Sequence, residues 1–106
     1  MPFQIEITDL AETELMAIRV FDRRTIVDKV REQLTHQPTE ETRNRKRLDS
    51  AAPVFDHVPP VWELRVGDYR VFYYVDARSQ IVFIRAVRFK RQGQTTEDLI
   101  HETNDT

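Results

Sequence analysis

The chain has 106 residues, 40% hydrophobic and 32% charged, which is typical of one soluble globular domain with a single modest core. It has no apolar run of about 18 residues and no basic-then-apolar N-terminal segment, so neither a transmembrane helix nor a secretory signal is expected. The lack of cysteine excludes disulfides and thiolate chemistry, which is consistent with a cytoplasmic protein.

The net charge of −2 conceals a strong asymmetry along the chain. Residues 1–42 carry a net charge of −4, residues 43–92 carry +6 and residues 93–106 carry −4. A basic middle between acidic ends indicates an anion-binding surface built from the middle segment. The alternative is that these charges cluster by chance on solvated faces of the domain.

The start of the chain predicts a strand followed by a helix. Phe3, Ile5 and Ile7 alternate with polar residues, which is typical of a strand with one buried face. Asp9 followed by Glu12 resembles a capping box and marks the start of a helix. The apolar residues of this predicted helix are Leu10, Leu15, Met16, Ile18 and Phe21.

A second helix is predicted from Thr25 to about His36. The charged residues 22–24 interrupt the first helical pattern, Thr25 with Asp28 provides a start signal, and Pro38 disfavours helix before it. Its apolar residues at helical spacing are Ile26, Val27, Val30 and Leu34. The two helices are expected to form a hairpin that covers one face of a sheet.

Residues 37–60 are predicted to form a long irregular segment, because four prolines within it prevent regular ladders. This segment contains the basic stretch TRNRKRL, with Arg43, Arg45, Lys46 and Arg47. Two interpretations of the stretch stay open, a solvated basic loop and an arm that binds phosphates.

Three apolar runs between Val61 and Arg91 predict a three-stranded antiparallel meander. Gly67-Asp68 is interpreted as a two-residue hairpin loop, which places Arg65 opposite Arg70. One face of the meander is apolar and is expected to pack against the helices; it carries Trp62, Leu64, Val66, Tyr69, Val71, Tyr73 and Val75.

The other face of the meander carries Glu63, Arg65, Arg70, Phe72 and Tyr74. Two arginines directly across from each other are unfavourable unless an anion lies over them, so the pair is suited to bind a phosphate. Glu63 is either a general base or the ion-pair partner of Arg65. Phe72 and Tyr74 either stack on unpaired bases or pack beneath the loop at 48–60 or the C-terminal helix.

After the meander, Thr95 or Thr96 is expected to cap a short helix that has Leu99 and Ile100 on one side. A polar tail that frays is expected to follow it. The predicted fold is a single α+β domain over 1–106, with the order β-α-α-β-β-β, a two-helix hairpin on one face of a four-stranded antiparallel sheet, and a weak C-terminal helix. The N-terminal strand is expected beside the last strand.

Residues 3–92 resemble the RelE/ParE superfamily of bacterial type II toxin–antitoxin toxins. The resemblance lies in the order of elements, the NRKRL segment, and WELRVGDYRVFYYVD followed by IVFIRAVRFKR. RelE-like members are ribosome-dependent mRNA endonucleases, whereas ParE-like members poison DNA gyrase, and each is neutralised by a small antitoxin. The resemblance therefore implies a cognate antitoxin, with mRNA and the ribosome, or alternatively gyrase, as the target.

The resemblance also implies a set of catalytic residues. Arg70 matches the arginine of the family's Y-R motif, which stabilises the phosphate transition state, and Arg65 matches a basic position on the preceding strand. Glu63 stands where the best-known members have a lysine. Lys90 and Arg91 match the basic pair that closes the last strand. The tyrosine or histidine that some members have shortly after this pair has no clear match here.

The favoured hypothesis is a RelE-like mRNA interferase, a metal-independent endoribonuclease that inhibits translation. Its predicted catalytic residues are Arg70, Arg65, Arg91 and Glu63, and its predicted RNA-binding residues are Arg43, Arg45, Lys46, Arg47, Arg88 and Lys90. The alternatives are a non-enzymatic ParE-like gyrase inhibitor, which the missing tyrosine or histidine favours, and an inactive RNA-binding relative. No cofactor or metal is expected, because no ligand spacing for a metal is present.

Overall fold

The computed structural model describes residues 1–49 and 52–103. Its elements in chain order are β1 (Gln4–Ile7), α1 (Asp9–Met16), α2 (Val20–Leu34), β2 (Arg45–Leu48), β3 (Val61–Val66), β4 (Tyr69–Asp76), β5 (Ile81–Phe89) and α3 (Thr96–Ile100). Residues 104–106 of the predicted frayed tail lie outside the described residues. No helix in the described ranges is both long enough and apolar enough to cross a membrane.

The strands form one five-stranded mixed sheet in the order β1-β5-β4-β3-β2. The predicted α+β class is confirmed, as is the position of β1 beside the last strand. The prediction of four antiparallel strands was wrong in two respects, because β1 runs parallel to β5 and a fifth strand, β2, pairs with β3. The remaining neighbours are antiparallel.

Strand β2 lies in the basic stretch that was predicted to be irregular. Its charged sequence lacks the apolar alternation that marks a half-buried strand, so its pairing with β3 left no signal in the sequence. Arg45 stabilises the strand from the helical side of the sheet. Its guanidinium donates to the Gln33 carbonyl oxygen at 2.7 Å, to Gln33 Oε1 at 2.9 Å and to the Glu40 carbonyl oxygen at 2.9 Å.

The predicted register of the β3–β4 hairpin is confirmed. Val66 pairs with Tyr69, and Arg65 pairs with Arg70. Gly67 has φ +56°, in the left-handed region that a two-residue hairpin loop requires and that glycine adopts without steric cost.

The helices α1 and α2 cover the apolar face of the meander, as predicted. The core between them is built from buried side chains of both layers, namely Ala11, Leu15, Ile26, Val30, Leu34, Trp62, Leu64, Val66, Val71, Tyr73, Val82, Ile84 and Val87. Two residues of the predicted helical stripe, Met16 and Phe21, are instead exposed.

The helix boundaries differ from the predicted ones at two places. The break between α1 and α2 falls at residues 17–19 rather than 22–24, and Arg23, inside α2, stabilises it by donating to the carbonyl oxygens of Leu15, Met16 and Ile18. The predicted capping box at the start of α1 does not form. Thr8 is the N-cap residue, but its hydroxyl donates to the Ile84 carbonyl oxygen at 2.6 Å.

The second face of the sheet is partly covered by α3 and by the loop after β2. A small apolar cluster fills this interface, made of Phe55, Val61, Phe72, Ala86, Leu99 and Ile100. Of the two predicted roles for Phe72, the structure shows packing, because the ring is fully buried here. Tyr74 stacks on Phe83 of the neighbouring strand, with 5.0 Å between ring centroids.

A β-bulge in β5 decides which side chains reach this second face. Phe72 pairs with Ala86 and Tyr73 pairs with Ile84, so Arg85 has no partner on β4. The extra residue reverses the alternation of β5 and places Arg88 on the same face as Arg70. Arg85 itself reaches the covering loop, where its Nε donates to the Asp56 carbonyl oxygen at 2.7 Å.

Candidate anion-binding site

Three arginines lie side by side on the second face of the sheet. The register pairs Arg70 of β4 with Arg65 of β3 on one side and with Arg88 of β5 on the other. We call these three residues the arginine row. Directly opposed residues on neighbouring strands are about 4.5–5.5 Å apart at Cα, so three like charges in line repel one another unless negative groups lie close to them.

The fold itself neutralises one member of the row. Arg88 is buried, and its Nε donates to Glu14 Oε2 of α1 at 2.8 Å. Its Nη1 donates to the carbonyl oxygens of Leu99 and Glu102 at 2.8 and 2.7 Å, at the end of α3. The guanidinium also lies 5.5 Å from the centroid of the Phe55 ring. These contacts identify Arg88 as a structural link between the sheet, α1 and α3.

Arg70 is buried without such neutralisation. It is 9% exposed, and its Nη1 donates to the Gly67 and Tyr69 carbonyl oxygens, both at 2.8 Å. Within residues 1–49 and 52–103, no carboxylate lies within ion-pair distance of its guanidinium. Burial, and secondarily the neighbouring Arg65 cation, lowers the pKa of Arg70. The chain thus holds a charge at a place where water solvates it poorly and an anion would stabilise it.

An open depression next to Arg70 brings further predicted residues to the same place. Its lining includes Arg70, Lys90 and Arg91, together with Asp68, Phe89 and Gln92. The guanidinium of Arg91 lies 6.0 Å from the centroid of the Phe89 ring. Arg65 is exposed beside this depression, across β3–β4 from Arg70. Arg65, Arg70, Lys90 and Arg91 therefore form one basic surface.

Glu63 lies on the same face, one layer below Arg65. Its side chain is buried, and Oε2 accepts a hydrogen bond from the Thr96 hydroxyl at 2.8 Å. The predicted alternative, an ion pair between Glu63 and Arg65, is absent from the described part of the chain. A carboxylate oriented by a helix residue rather than by an arginine keeps a free lone pair for a proton.

The basic stretch before β3 does not act as one unit. Arg43, Lys46 and Arg47 are exposed, and Arg47 forms an ion pair with Asp49. Lys46 and Arg47 line a second shallow depression beside α3. Arg45 points to the opposite, helical side of the sheet, where its donors are already bonded. Arg45 thus lies away from the basic surface formed around Arg70.

The histidines lie away from this basic surface or are bonded to the backbone. His57 Nδ1 lies 2.9 Å from the Phe55 carbonyl oxygen, and His101 Nε2 lies 3.2 Å from that of Ala52. No group of three or more His, Cys, Asp or Glu residues that could hold a metal ion occurs in the described ranges. The described side chains around Arg70 include guanidinium, ammonium, carboxylate and hydroxyl groups.

Two residues of the site were missed from the sequence. Thr96 binds Glu63 across 33 positions, and no local pattern indicates a contact of that range. Glu14 left a weak signal, because it lies three positions after Ala11 and one before Leu15, on the buried side of α1. A carboxylate on an apolar helix face needs a cationic partner, and that requirement would have pointed to a buried arginine.

Comparisons with known proteins bear on the family and on the fold. A family model described as the ParE toxin of the type II toxin–antitoxin system parDE matches residues 5–93. The search of curated proteins found no match.

Several solved structures share the fold. A chain of the RelBE2 toxin–antitoxin complex from Mycobacterium tuberculosis aligns with a TM-score of 0.65 at 21% identity, covering 85% of this chain and 100% of that one. A chain of the archaeal RelE–RelB complex from Pyrococcus horikoshii aligns with a TM-score of 0.67 at 18% identity, covering 88% and 100%. A free mutant of the Escherichia coli toxin RelE aligns with a TM-score of 0.56 at 20% identity, covering 87% and 86%.

Proposed function

This chain belongs to the ParE toxin family of type II toxin–antitoxin systems, and from that premise we propose that it is a RelE-like toxin that cleaves mRNA on the ribosome. Membership establishes a toxin, but it does not establish the target, since one fold serves different functions. The target is therefore argued from the chemistry of the basic surface.

The observation that carries the proposal is the buried guanidinium of Arg70, which forms no ion pair within the described residues and has Arg65 directly across from it. A cation kept in this state costs folding free energy, and a bound phosphate recovers that cost. Guanidinium groups bind phosphate oxygens in a bidentate manner and keep their charge at any physiological pH. The pair is thus suited to the negative charge that accumulates on a phosphorane.

The reaction proposed is an attack of a ribose 2′-hydroxyl on the adjacent phosphate. Glu63 is the proposed base that takes the hydroxyl proton, and the Thr96 hydroxyl orients its carboxylate. Arg70 and Arg65 stabilise the phosphorane, a contribution commonly worth about 3–4 kcal/mol per donor group. The 5′-oxygen leaves with a proton from water, the hydroxide so formed takes the proton that Glu63 accepted, and a 2′,3′-cyclic phosphate remains on the upstream fragment.

Binding of the RNA strand is assigned to the surrounding cations. Lys90 and Arg91 line the depression beside Arg70 and are proposed to hold the neighbouring phosphate. Arg43, Lys46 and Arg47 are exposed on and just before the edge strand β2, where they are proposed to contact the strand further along. We leave Arg45 and Arg88 out of this surface, because their guanidinium groups are bonded inside the fold.

A cognate antitoxin is the proposed partner. Two of the structural neighbours are chains of toxin–antitoxin complexes. The basic surface and the exposed edge of β2 offer suitable sites for an acidic segment that folds on binding. The place of action proposed for the free toxin is the cytoplasm, where ribosomes and mRNA are available.

Inhibition of DNA gyrase is the second candidate. The family model that matches the chain is that of ParE, which favours this alternative. In addition, no tyrosine or histidine occupies the positions directly after β5, where Gln92, Gln94 and Thr95 stand. An inactive RNA-binding relative is the third candidate, since the same departures from the RelE pattern apply to it.

A translation assay in vitro with primer extension on the mRNA tests the proposal. The wild-type chain is expected to cut the message at discrete positions only when ribosomes are present, and Arg70→Ala is expected to cut it nowhere. Arg78→Ala is the matched control, because Arg78 is an exposed arginine in the β4–β5 turn and should cut like the wild type.

The alternatives give different results in the same experiment. Intact mRNA together with unimpaired translation would overturn the nuclease assignment, and a DNA supercoiling assay with purified gyrase would then separate a gyrase inhibitor from an inactive relative. If a folded Arg70→Ala variant still cleaves mRNA, the protein is a nuclease but Arg70 has no part in its mechanism.

A further inference from the structure

The start of α2 presents an aromatic side chain to solvent on a rigid base. Phe21 is 75% exposed, and its neighbour Val20 is also exposed. The turn before them is fixed, because the guanidinium of Arg23 donates to three carbonyl oxygens at the end of α1 and in the turn. A large ring held in this way loses little conformational entropy when a partner covers it, and such rings are typical of contact surfaces.

A groove lies beside Phe21 on the same surface. It runs between the first turns of α2 and the β3–β4 turn. Its lining combines apolar and aromatic side chains with polar residues, namely Ile26, Val66, Tyr69 and Phe89 with Asp22, Thr25, Gly67 and Asp68. Thr25 is one helical turn from Phe21, and its hydroxyl donates to the Phe21 carbonyl oxygen at 3.2 Å. The rings of Tyr69 and Phe89 meet edge to face, with 5.4 Å between centroids, and form an aromatic side of the groove.

Opposite charges flank the ring and the groove. Arg24 follows Phe21 by three positions on α2 and is exposed, and Asp68 is exposed at the rim of the groove. Neither side chain forms an ion pair within residues 1–49 and 52–103. The surface thus carries a projecting ring with a cation beside it. Next to these lies a groove with two carboxylates, of which Asp22 is paired with Arg19 and Asp68 forms no ion pair in the described ranges.

We propose that Phe21 of one copy of this chain binds in the groove of a second copy, and that the second copy does the same in return. When a projecting group and its receiving groove lie side by side on one surface, a two-fold axis between them brings each group into the other groove. The same rotation sets Arg24 of each copy against Asp68 of the other.

The expected dimer is weak. The exposed aromatic side chains at this surface are Phe21 and, in the groove, Phe89, and so small an apolar area places the contact at the low end of protein–protein interfaces. We therefore expect a Kd of about 1–100 µM. The proposal concerns association of the free chain and does not depend on which target the toxin attacks.

Sedimentation equilibrium of the purified full chain over this concentration range tests the proposal. The apparent mass of the wild type should rise from monomer to dimer with concentration. Phe21→Ala should weaken association at least about 10-fold, as truncation of a central aromatic anchor does. Val58→Ala is the matched control, because Val58 is 56% exposed and lies in the loop before β3, outside the lining of the groove.

A charge-reversal pair tests the proposed orientation. Arg24→Asp alone and Asp68→Arg alone should each weaken the dimer, and the double variant should restore most of the wild-type association. Circular dichroism would establish that each variant is folded. A wild type that stays monomeric at the highest concentration would overturn the proposal. A Phe21→Ala dimer as strong as the wild type would overturn it as well.

The absence of cysteine allows a direct geometric test. Thr25→Cys introduces the only thiol of the chain beside the proposed axis, so mild oxidation should give a disulfide-linked dimer. The same change combined with Phe21→Ala should give far less of it. Thr13→Cys, on the exposed side of α1, should stay monomeric under the same conditions. Equal cross-linking at positions 13 and 25 would indicate random collision and would contradict the proposed interface.

Discussion

Glu14 and Arg88 form an ion pair inside the protein, with 2.8 Å between Oε2 and Nε and side chains only 10% and 3% exposed. The other carboxylate oxygen, Oε1, accepts the backbone N–H of Val87 at 2.9 Å. Strand β1 ends at Ile7, opposite Ile84, so beyond that point the outer edge of β5 has no neighbouring strand. Glu14 supplies there the hydrogen bond that a sixth strand would have given, and it neutralises one member of the arginine row.

Removing the cation of this pair should destabilise the fold strongly. Arg88→Met leaves Glu14 as a buried carboxylate without a counter-charge, and we expect a loss of about 3–5 kcal/mol in the free energy of unfolding. Urea denaturation followed by circular dichroism measures this loss. Glu14→Leu combined with Arg88→Met should recover much of it, because buried ion pairs are often replaced by apolar residues at little cost. A single Arg88→Met change that costs less than about 1 kcal/mol would contradict the role assigned to the pair.

The same carboxyl group predicts a pH dependence of stability. Burial, which outweighs the Val87 hydrogen bond and the Arg88 charge, raises the pKa of Glu14 above its ordinary value of 4.5. At a pH above 4.5 but below the raised pKa, Glu14 is protonated in the folded chain and ionised in the unfolded chain. The contribution of Glu14 to the free energy of unfolding therefore falls as the pH rises through this interval.

The comparison with Glu14→Gln isolates this contribution. Both proteins are unfolded chemically at several pH values from about pH 4 to 7. The free energy of unfolding of the wild type should fall relative to that of Glu14→Gln as the pH rises, and the difference should then stay constant. A difference that shifts in the opposite direction would show that the Arg88 charge, rather than burial, determines the pKa of Glu14.

Trp62 should be one of the most costly residues to truncate. Its ring is buried beneath the helices and stacks on Tyr73 with 6.3 Å between centroids. We expect Trp62→Ala to lower the free energy of unfolding by about 3–5 kcal/mol, as large core truncations do. Thermal melting of this variant beside Val58→Ala, whose effect should stay within about 0.5 kcal/mol, gives the comparison. Equal melting temperatures would contradict the position of Trp62 in the core between the sheet and the helices.

Substitution of Arg70 should lower the cleavage activity without lowering the stability of the fold. Arg70→Lys keeps the positive charge but loses the planar fork, so cleavage should fall about 10²–10³-fold in the primer-extension assay. Arg70→Met removes a buried cation that forms no ion pair in the described ranges, so its melting temperature should equal or exceed that of the wild type. Arg78→Met, at an exposed position, should change neither property.

Glu63→Gln separates the role of a base from that of a hydrogen-bond acceptor. The amide oxygen still accepts from Thr96, but it takes no proton, so cleavage should fall about 10²–10⁴-fold while the melting temperature changes little. Thr96→Val should weaken cleavage less, because the carboxylate remains but loses its orientation. Full cleavage by a folded Glu63→Gln variant would assign the base to another group.

The sequence predicted those parts of the structure that depend on local patterns. The Gly67-Asp68 turn determined the β3–β4 register, and with it the pairing of Arg65 and Arg70. The Thr95 cap and the pair Leu99 and Ile100 determined α3, whose capping box with Asp98 is present. The α+β class followed from the same periodicities, because alternation and helical spacing record which face is buried.

The parts that were missed depend on contacts between residues far apart in the chain. β2 forms because it pairs with the edge of β3, and nothing in its run of arginines and lysine indicates that pairing. The bulge at Arg85 reverses the alternation that the sequence pattern assumes, so the position of Arg88 opposite Arg70 was not predicted. The link from Glu14 to Arg88 joins positions 74 apart. Such relationships appear only when the whole chain is folded.

The parallel pairing of β1 with β5 has a consequence for how the chain is made. Gln4 pairs with Ile81, 77 residues later, so the first strand waits for its partner until most of the polypeptide has been synthesised. At about 5–20 residues per second this delay is about 4–15 s. During that time β1 has an unpaired backbone and the arginine row lacks its third member. The fold of the toxin is therefore incomplete until synthesis is nearly finished.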